Sequence, residues 1–284
     1  MGSNHEMTTN DPVLNDPVWG EVDWTAPKIL AGNSTEKAAV QLRAYFAPLG
    51  GGLRGSHSGA EFTELGGGGD TPEVADTVTA EDVLAVSTLS VTIPPTHALQ
   101  LLGRGVTKEG LDATREWRDK LGHRRALKRK NVPSLDEAPI DAAAVRAALA
   151  DIPSNLAIAD VPATDIDDLL AHVDVLWREI RRKGMAKKNK STGQVVTSKL
   201  LARKRPHLLP VLDSVVATQL SHNRKRRTDF KRSMWRVMSD NELALPAHLS
   251  DIRERAFRAT GDERIRRLSD LRVFDIVVWM AGKN

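Results

Sequence analysis

The pattern of apolar and polar positions from residue 79 onward is that of successive amphipathic helices. It opens with TAED (79–82), where a Thr followed three residues later by an acid predicts a capping box, and the apolar positions of LAVSTLSV continue that helix. In IPPTHALQLL, Pro94 and Pro95 suit a turn and the first position of a new helix. Upstream, a Ser N-cap predicts a helix over 34–46.

The same periodicity predicts further helices along the rest of the chain. They span 107–131, 136–155, 166–183, 196–204, 213–220, 229–239, 250–260 and 269–282. Strand signals are scarce, since alternation is short and aromatic content is only 4%. AEFTEL (60–65) alone predicts a short strand, and no internal repeat is found. The fold class expected is therefore all-α.

The first third of the chain differs in character. Residues 1–34 are rich in Pro, Asn and Asp, with Trp19 and Trp24 as large apolar anchors, and predict an arm that is disordered or draped over a helical domain of residues 35–284. The glycine clusters at 50–52 and 66–69 match no phosphate-loop spacing, so they predict flexible loops.

Composition excludes several classes of protein. No run of about 18 apolar residues is present, so no membrane span is expected. The absence of cysteine excludes disulfides, thiolate zinc sites and cysteine-ligated clusters, and the eight histidines show no metal-ligand spacing. With no apolar signal core at the N-terminus, we expect a cytoplasmic protein that needs no metal or cofactor.

Charge is distributed unevenly. Residues 1–120 contain 9 Lys and Arg against 17 Asp and Glu, whereas residues 121–284 contain 32 against 20. Such asymmetry indicates either a polyanionic partner or a solvated basic face.

The most informative stretch is KNKSTGQVVTSKLLARK, which predicts a helix, a tight polar turn at Gly193, and a second helix. Such a helix–hairpin–helix presents backbone N–H groups to a phosphate. The residues expected to contact nucleic acid are the turn, the following helix and the surrounding cations: Lys188, Lys190, Gly193, Gln194, Val195, Thr197, Lys199, Arg203, Lys204 and Arg205. Asp213 then stands at the predicted N-cap of the next apolar helix.

These motifs resemble those of the helix–hairpin–helix DNA glycosylases, the superfamily of endonuclease III and alkyladenine glycosylase. STGQVVTS is similar to the family hairpin, PVLDSVV to its short apolar link, and the spacing from Gly193 to Asp213 matches without insertion. The likeness covers 79–282, including LAVSTLSVTIPPTHALQLL and the closing helix LSDLRVFDIVVWMAGK. The chain also looks like an uncharacterised actinobacterial family sharing KLLARKRP and DSVV. The resemblance implies two helical lobes with a central hairpin and a cleft at Asp213.

Three positions depart from the glycosylase pattern. Ser191 replaces one hairpin glycine, Val91 replaces the glutamine of the early helix pair, and Val195 stands where bifunctional members have their Schiff-base lysine. The resemblance therefore implies a monofunctional enzyme without lyase activity.

An aspartate suits base excision, because cleavage of an N-glycosidic bond builds positive oxocarbenium character that a fixed carboxylate stabilises. The alternative is that Asp213 only caps its helix. Tyr45 and Phe46 are candidates for lining a base pocket. Trp177, Trp235 and Trp279 are interpreted first as core and second as stacking platforms.

Two functional readings follow. The first is a DNA repair hydrolase, expected as a monomer, that flips a damaged or modified base from double-stranded DNA and hydrolyses its glycosidic bond. The second is a non-catalytic helix–hairpin–helix protein that recognises duplex DNA or DNA structure. A protein-interaction scaffold would explain neither the hairpin nor the spacing to Asp213.

Overall fold

The computed structural model describes residues 22, 24–47, 57–104, 140–181, 193–222 and 229–283. Regular structure in these ranges is helical and contains no β-strand, which confirms the all-α class. The α-helices of the described ranges are α1 (Thr35–Tyr45), α2 (Ala80–Thr88), α3 (Pro95–Leu101), α4 (Ala142–Ala150), α5 (Ile166–Ile180), α6 (Gln194–Lys204), α7 (Ser214–Gln219), α8 (Asp229–Ser239), α9 (Leu245–Thr260), α10 (Glu263–Arg266) and α11 (Asp270–Lys283).

Several helix starts follow directly from local sequence. At α2, the Thr79 hydroxyl accepts the Asp82 N–H at 3.3 Å and the Asp82 carboxylate accepts the Thr79 N–H at 3.0 Å, which confirms the predicted capping box. Pro95 begins α3, as predicted, because a first-turn residue needs no N–H partner. The helix predicted over 107–131 lies outside the described residues.

The chain divides into two compact units, each with its own segments. Unit 1 comprises residues 1–63, 155–166 and 206–284, and unit 2 comprises residues 64–154 and 167–205. The predicted cleft between two lobes stays a prediction.

Unit 1 is organised around α11, whose residues 271–278 are all buried and, apart from Arg272 and Asp275, apolar. A helix that is buried on every side belongs in a core. Here α11 packs against α1, α7 and α9, and α1 also packs against α9. The core of unit 1 therefore brings the C-terminal helix beside both the end of α1 and the short helix that follows Asp213.

Unit 2 pairs α2 with α6, and α3 with α4. All residues of α6 from Thr197 to Lys204 are buried, the cationic ones included. This helix is thus a central element of unit 2, although its sequence reads as strongly basic.

The strand predicted at AEFTEL is wrong. Ser58–Glu61 form a 3-10 helix, a turn follows, and Leu65–Gly67 form a second 3-10 segment. Gly66, Gly67 and Gly68 adopt φ angles of 64°, 85° and 103°, which redirect the chain after this stretch. The second glycine cluster is also not a loose loop. A Cβ atom placed on Gly69 would lie 2.5 Å from the Arg203 carbonyl oxygen, so this segment packs tightly against α6.

The described part of the predicted N-terminal arm packs onto unit 1. Val22, Trp24, Ile29 and Leu30 are buried, and the Trp24 indole N–H donates to Nδ1 of His222 at 3.1 Å. Of the two predicted states of the arm, disordered or draped over the helical domain, this segment has the second. No helix among the described residues is long and apolar enough to cross a membrane.

Candidate active site

Asp213 caps α7, as predicted. Its backbone is extended (φ −104°, ψ 154°), and its carboxylate accepts the Val215 N–H at 2.8 Å. The side chain is half-buried at the end of the apolar link Val211–Leu212. A carboxylate tied to the first turn of its own helix has a fixed orientation, which suits both a structural cap and a preorganised electrostatic group.

Tyr45 and Phe46, the candidates for a base pocket, lie at the end of α1 in the same unit. The Tyr45 ring stacks on His57 with centroids 5.1 Å apart, and it meets Phe46 and Trp279 edge to face. Tyr45 and Phe46 are buried, whereas His57 and Trp279 are half-exposed. The structure thus joins a tyrosine, an imidazole and an indole into one aromatic cluster, with Trp279 partly open to solvent as a stacking platform would be.

Arg272 on α11 lies beneath this aromatic cluster and was not predicted from the sequence. Its guanidinium donates to the Tyr45 hydroxyl and to the Gly59 carbonyl, both at 3.0 Å, and it pairs with the Asp275 carboxylate. Its positive charge also faces the Phe62 ring, 5.0 Å from the centroid. An Arg and an Asp three residues apart in an otherwise apolar helix were the available signal, since buried charges are normally paired.

The environment fixes the protonation of these groups. Burial raises the pKa of Tyr45, and the charges of Asp275 and Asp213 raise it further, whereas Arg272 lowers it. Partial burial lowers the pKa of His57. Burial disfavours the Arg272 cation, yet its contacts with Tyr45 and Asp275 raise the pKa of the guanidinium above its ordinary value. Near pH 7 the phenol is therefore protonated, the imidazole neutral and the guanidinium charged.

Close packing of two helices positions Asp213 relative to this cluster. A Cβ atom on Gly282 in α11 would lie 2.5 Å from Cγ1 of Val215 and 3.1 Å from Gln219 of α7. Only glycine permits this approach. The helix α11 therefore packs against both α1, which ends at Tyr45, and α7, which Asp213 caps, and the charge of Asp213 contributes to the raised pKa of the Tyr45 phenol.

The side chains of Lys199, Arg203, Lys204 and Arg205, which the sequence predicts to contact DNA, are not exposed in this structure. All four side chains are buried in unit 2, with relative exposures between 0% and 4%. Their cationic groups are directed at Asp82 and at main-chain carbonyls, so they are not available to a phosphate. Sequence reasoning missed this because Lys and Arg are rarely buried unless they are paired, and the partners are distant in sequence.

The partners of these cations are well defined. Arg203 Nε and Lys204 Nζ contact the two oxygens of Asp82 at 3.1 and 3.0 Å. Arg205 pairs with Asp76 at 2.7 Å and donates to the carbonyls of neighbouring segments. Lys199 Nζ donates to the Leu89 carbonyl at 2.8 Å. A charge reversal at Arg203 would therefore report on folding rather than on DNA contact.

The other predicted contacts lie around the start of α6. Gly193 is its N-cap residue, Gln194 begins the helix, and Val195 is 40% exposed. Thr197 is fully buried, so its side chain is not exposed for the predicted contact with DNA. Lys188 and Lys190 lie outside the described residues, and the hairpin itself stays a prediction.

The described tryptophans of the later helices are partly core. Trp235 is half-buried and its indole N–H donates to the Val161 carbonyl at 2.9 Å, while Trp177 lies half-buried on α5. Among the described residues, no group of three His, Asp or Glu side chains could hold a metal ion.

Comparison with known proteins gives a family but no described activity. The model of a family of unknown function, DUF6308, matches residues 38–132 and 133–282. No curated protein and no solved structure matches the chain.

Proposed function

This chain belongs to the DUF6308 family, and we propose that it is a monofunctional DNA glycosylase that removes a base from duplex DNA. The observation that supports the proposal best is the arrangement within unit 1. A carboxylate fixed at the start of α7 lies within electrostatic reach of a protonated tyrosine in an aromatic cluster. Such a site offers a negative charge for a cationic sugar and flat rings for a base.

The chemistry would divide between these groups. As the glycosidic bond lengthens, the sugar gains oxocarbenium character, and the Asp213 carboxylate stabilises it or orients the attacking water. The half-exposed rings of His57 and Trp279 would stack on the extruded base, which has to leave the duplex before its bond can be reached. Val195, which is exposed, stands where the bifunctional helix–hairpin–helix glycosylases have their Schiff-base lysine. No covalent intermediate is therefore part of this scheme.

Because the cations of α6 and the adjacent Arg205 are directed inward, we assign phosphate contact to Lys188, Lys190 and the backbone at Gly193 and Gln194. Duplex affinity should then fall with salt by roughly 0.9 log unit per log unit of salt for each contact. Filter binding at several salt concentrations measures the slope. A slope near zero, or no binding to any duplex, would remove the nucleic-acid function.

The experiment that tests catalysis uses the wild-type protein and a panel of duplexes, each containing one deaminated, alkylated, mismatched or otherwise modified base. Abasic products are revealed by alkali. We expect strand cleavage only after alkali, and no adduct trapped by borohydride. Cleavage without alkali, or a trapped adduct, would contradict the monofunctional scheme, and intact strands throughout the panel would contradict the glycosylase proposal.

A second candidate function is favoured by the 2.8 Å bond from Val215 to Asp213, which is a complete N-cap by itself. On this alternative the protein binds duplex DNA or a DNA structure, and Asp213 serves only α7. Salt-sensitive binding without abasic products over the whole panel is its expected signature.

A further inference from the structure

The Tyr45 hydroxyl can both donate and accept a hydrogen bond, and the contacts within unit 1 use only its acceptor. Its oxygen accepts an N–H of Arg272 at 3.0 Å, and no acceptor for its own proton is found among the described residues. A buried hydroxyl is both donor and acceptor, and its proton normally has a partner. The side chain is 4% exposed, so an unpaired donor here is costly in the absence of a ligand.

We propose that Tyr45 is a second substrate-contacting residue, whose hydroxyl donates a hydrogen bond to the departing base, and that the substrate is an uncharged base that leaves as an anion. This inference rests on the proposed glycosylase function and adds the class of base. Asp213 would act on the positive sugar, and Tyr45 on the negative base.

The reaction balances without any further reagent. The bond between C1′ and the base nitrogen breaks, and its electron pair goes to the base. Water adds its oxygen to C1′, and the proton that water loses ends on the base. Tyr45 donates a hydrogen bond and is unchanged at the end.

Arg272 makes the phenol a stronger donor. A charged guanidinium that donates to the phenol oxygen draws electron density from it, and hydrogen bonds in such a chain polarise one another. Arg272 is in turn held by Asp275 and by the Gly59 carbonyl. Burial, which raises the pKa of Tyr45, keeps the proton on the phenol at physiological pH. In this dry environment a hydrogen bond to developing charge is worth more than in water.

The class of base follows from the value of such a donor. An uncharged base takes on negative charge as it leaves, and a donor lowers the barrier. A purine alkylated at N7 of guanine or N3 of adenine is already cationic and leaves as a neutral molecule, so it gains little from a donor. A site that holds a buried Arg–Tyr pair in this position is suited to uncharged bases.

The test compares wild type with Tyr45→Phe in single-turnover excision from two sets of duplexes. One set contains uncharged bases (uracil, hypoxanthine), and the other contains cationic bases (7-methylguanine, 3-methyladenine). We expect wild type to excise an uncharged base, and Tyr45→Phe to slow that reaction on the order of 100-fold. Excision of cationic bases, where it occurs, should change only a few-fold.

Equal slowing of both sets would show that Tyr45 has no selective effect on uncharged bases, and it would overturn the inference. So would excision of cationic bases only. If wild type excises no base of either set while it binds duplex DNA, the proposed glycosylase function fails first, and the role of Tyr45 fails with it. Thermal unfolding of the variant is measured in parallel.

A second probe covers the case in which Tyr45→Phe fails to fold. The chain contains a single tyrosine, so growth on 3-fluorotyrosine labels Tyr45 alone. Fluorination makes the phenol more acidic and its O–H a stronger donor, while the contact with Arg272 is retained. Excision of the uncharged base should change in rate and in pH dependence. A pH–rate profile identical to that of the unlabelled protein would overturn the inference.

Discussion

Unit 1 buries one arginine beside an aromatic cluster, whereas unit 2 buries four cations, three of them on α6 and one, Arg205, directly after it. In unit 2 two of these cations have many partners: Lys204 Nζ has three acceptors, and the Arg205 guanidinium has five hydrogen bonds. In unit 1 the Arg272 Nε has no partner among the described residues, and the Tyr45 proton has none.

That difference distinguishes buried charges that stabilise the fold from buried polar groups that are suited to binding a ligand. A buried polar network in which every donor is satisfied rigidifies a fold, whereas one with donors left over is costly unless a ligand completes it. The cations of α6 therefore belong to the folding of unit 2. The group around Arg272 and Tyr45, where the charge of Asp213 also acts on the phenol, is the candidate for chemistry.

The largest effect is expected from Asp82→Asn. This change removes the carboxylate that compensates both Arg203 and Lys204, and an uncompensated buried charge costs about 3–5 kcal/mol. Urea unfolding should show the loss in unit 2. The matched control is Asp76→Asn, whose side chain is 50% exposed and whose pairing with Arg205 is screened by solvent, at a cost of about 1 kcal/mol or less. Equal costs for the two variants would refute the structural role of Asp82.

The next effect concerns the glycine segment that wraps Arg203. Gly69→Ala places a Cβ atom 2.5 Å from the Arg203 carbonyl oxygen, and the backbone has to move, at a cost of about 1–3 kcal/mol. Gly193→Ala serves as the control, because no atom of the described residues lies within 4 Å of the position that its Cβ would take, and its φ is −62°. A Gly69 variant as stable as the Gly193 variant would show that the segment yields freely.

Part of this architecture could be predicted from sequence and part could not. The capping box of α2 and the cap at Asp213 were predicted correctly, because both depend on residues within four positions of each other. The direction of Arg203 was not, since its partner Asp82 lies 121 residues away and no local pattern reveals it. The same applies to Arg272, which meets Tyr45 across 227 residues. AEFTEL was misassigned because a lone apolar alternation does not show whether a neighbouring strand exists.

In unit 1 the corresponding packing test is Gly282→Ala. The new methyl group would meet the stiff Val215 side chain and push α7 from α11, which costs about 1–3 kcal/mol, while alanine recovers up to about 1 kcal/mol of helix propensity. The net loss should be smaller than for Gly69→Ala. Because Asp213 is the N-cap of α7, a shift of α7 also moves its carboxylate. The activation free energy of excision should therefore rise by more than the free energy of unfolding falls. A variant with unchanged excision kinetics would separate α7 placement from the reaction.

The smallest effect is a titration of the single tyrosine, followed through its tyrosinate absorbance. Burial raises the pKa of Tyr45 above its ordinary value of 10.0. The stability that the protonated phenol contributes is therefore fully present below pH 10, and it is lost as the pH rises through the pKa of Tyr45 in the folded protein. Asp213→Asn removes one of the charges that raise it. The pKa of Tyr45 should therefore be lower in this variant than in wild type. An identical titration would show that the two side chains are not coupled.

Single-turnover excision by Asp213→Asn distinguishes a catalytic Asp213 from one that only caps α7. Asparagine keeps a capping oxygen for the Val215 N–H, so folding and duplex binding should persist, with a stability cost of about 1 kcal/mol or less. Removal of the charge that faces the oxocarbenium-like sugar should slow excision by about 100–1,000-fold. An Asp213→Asn protein that excises bases as fast as wild type would return this residue to the role of a helix cap.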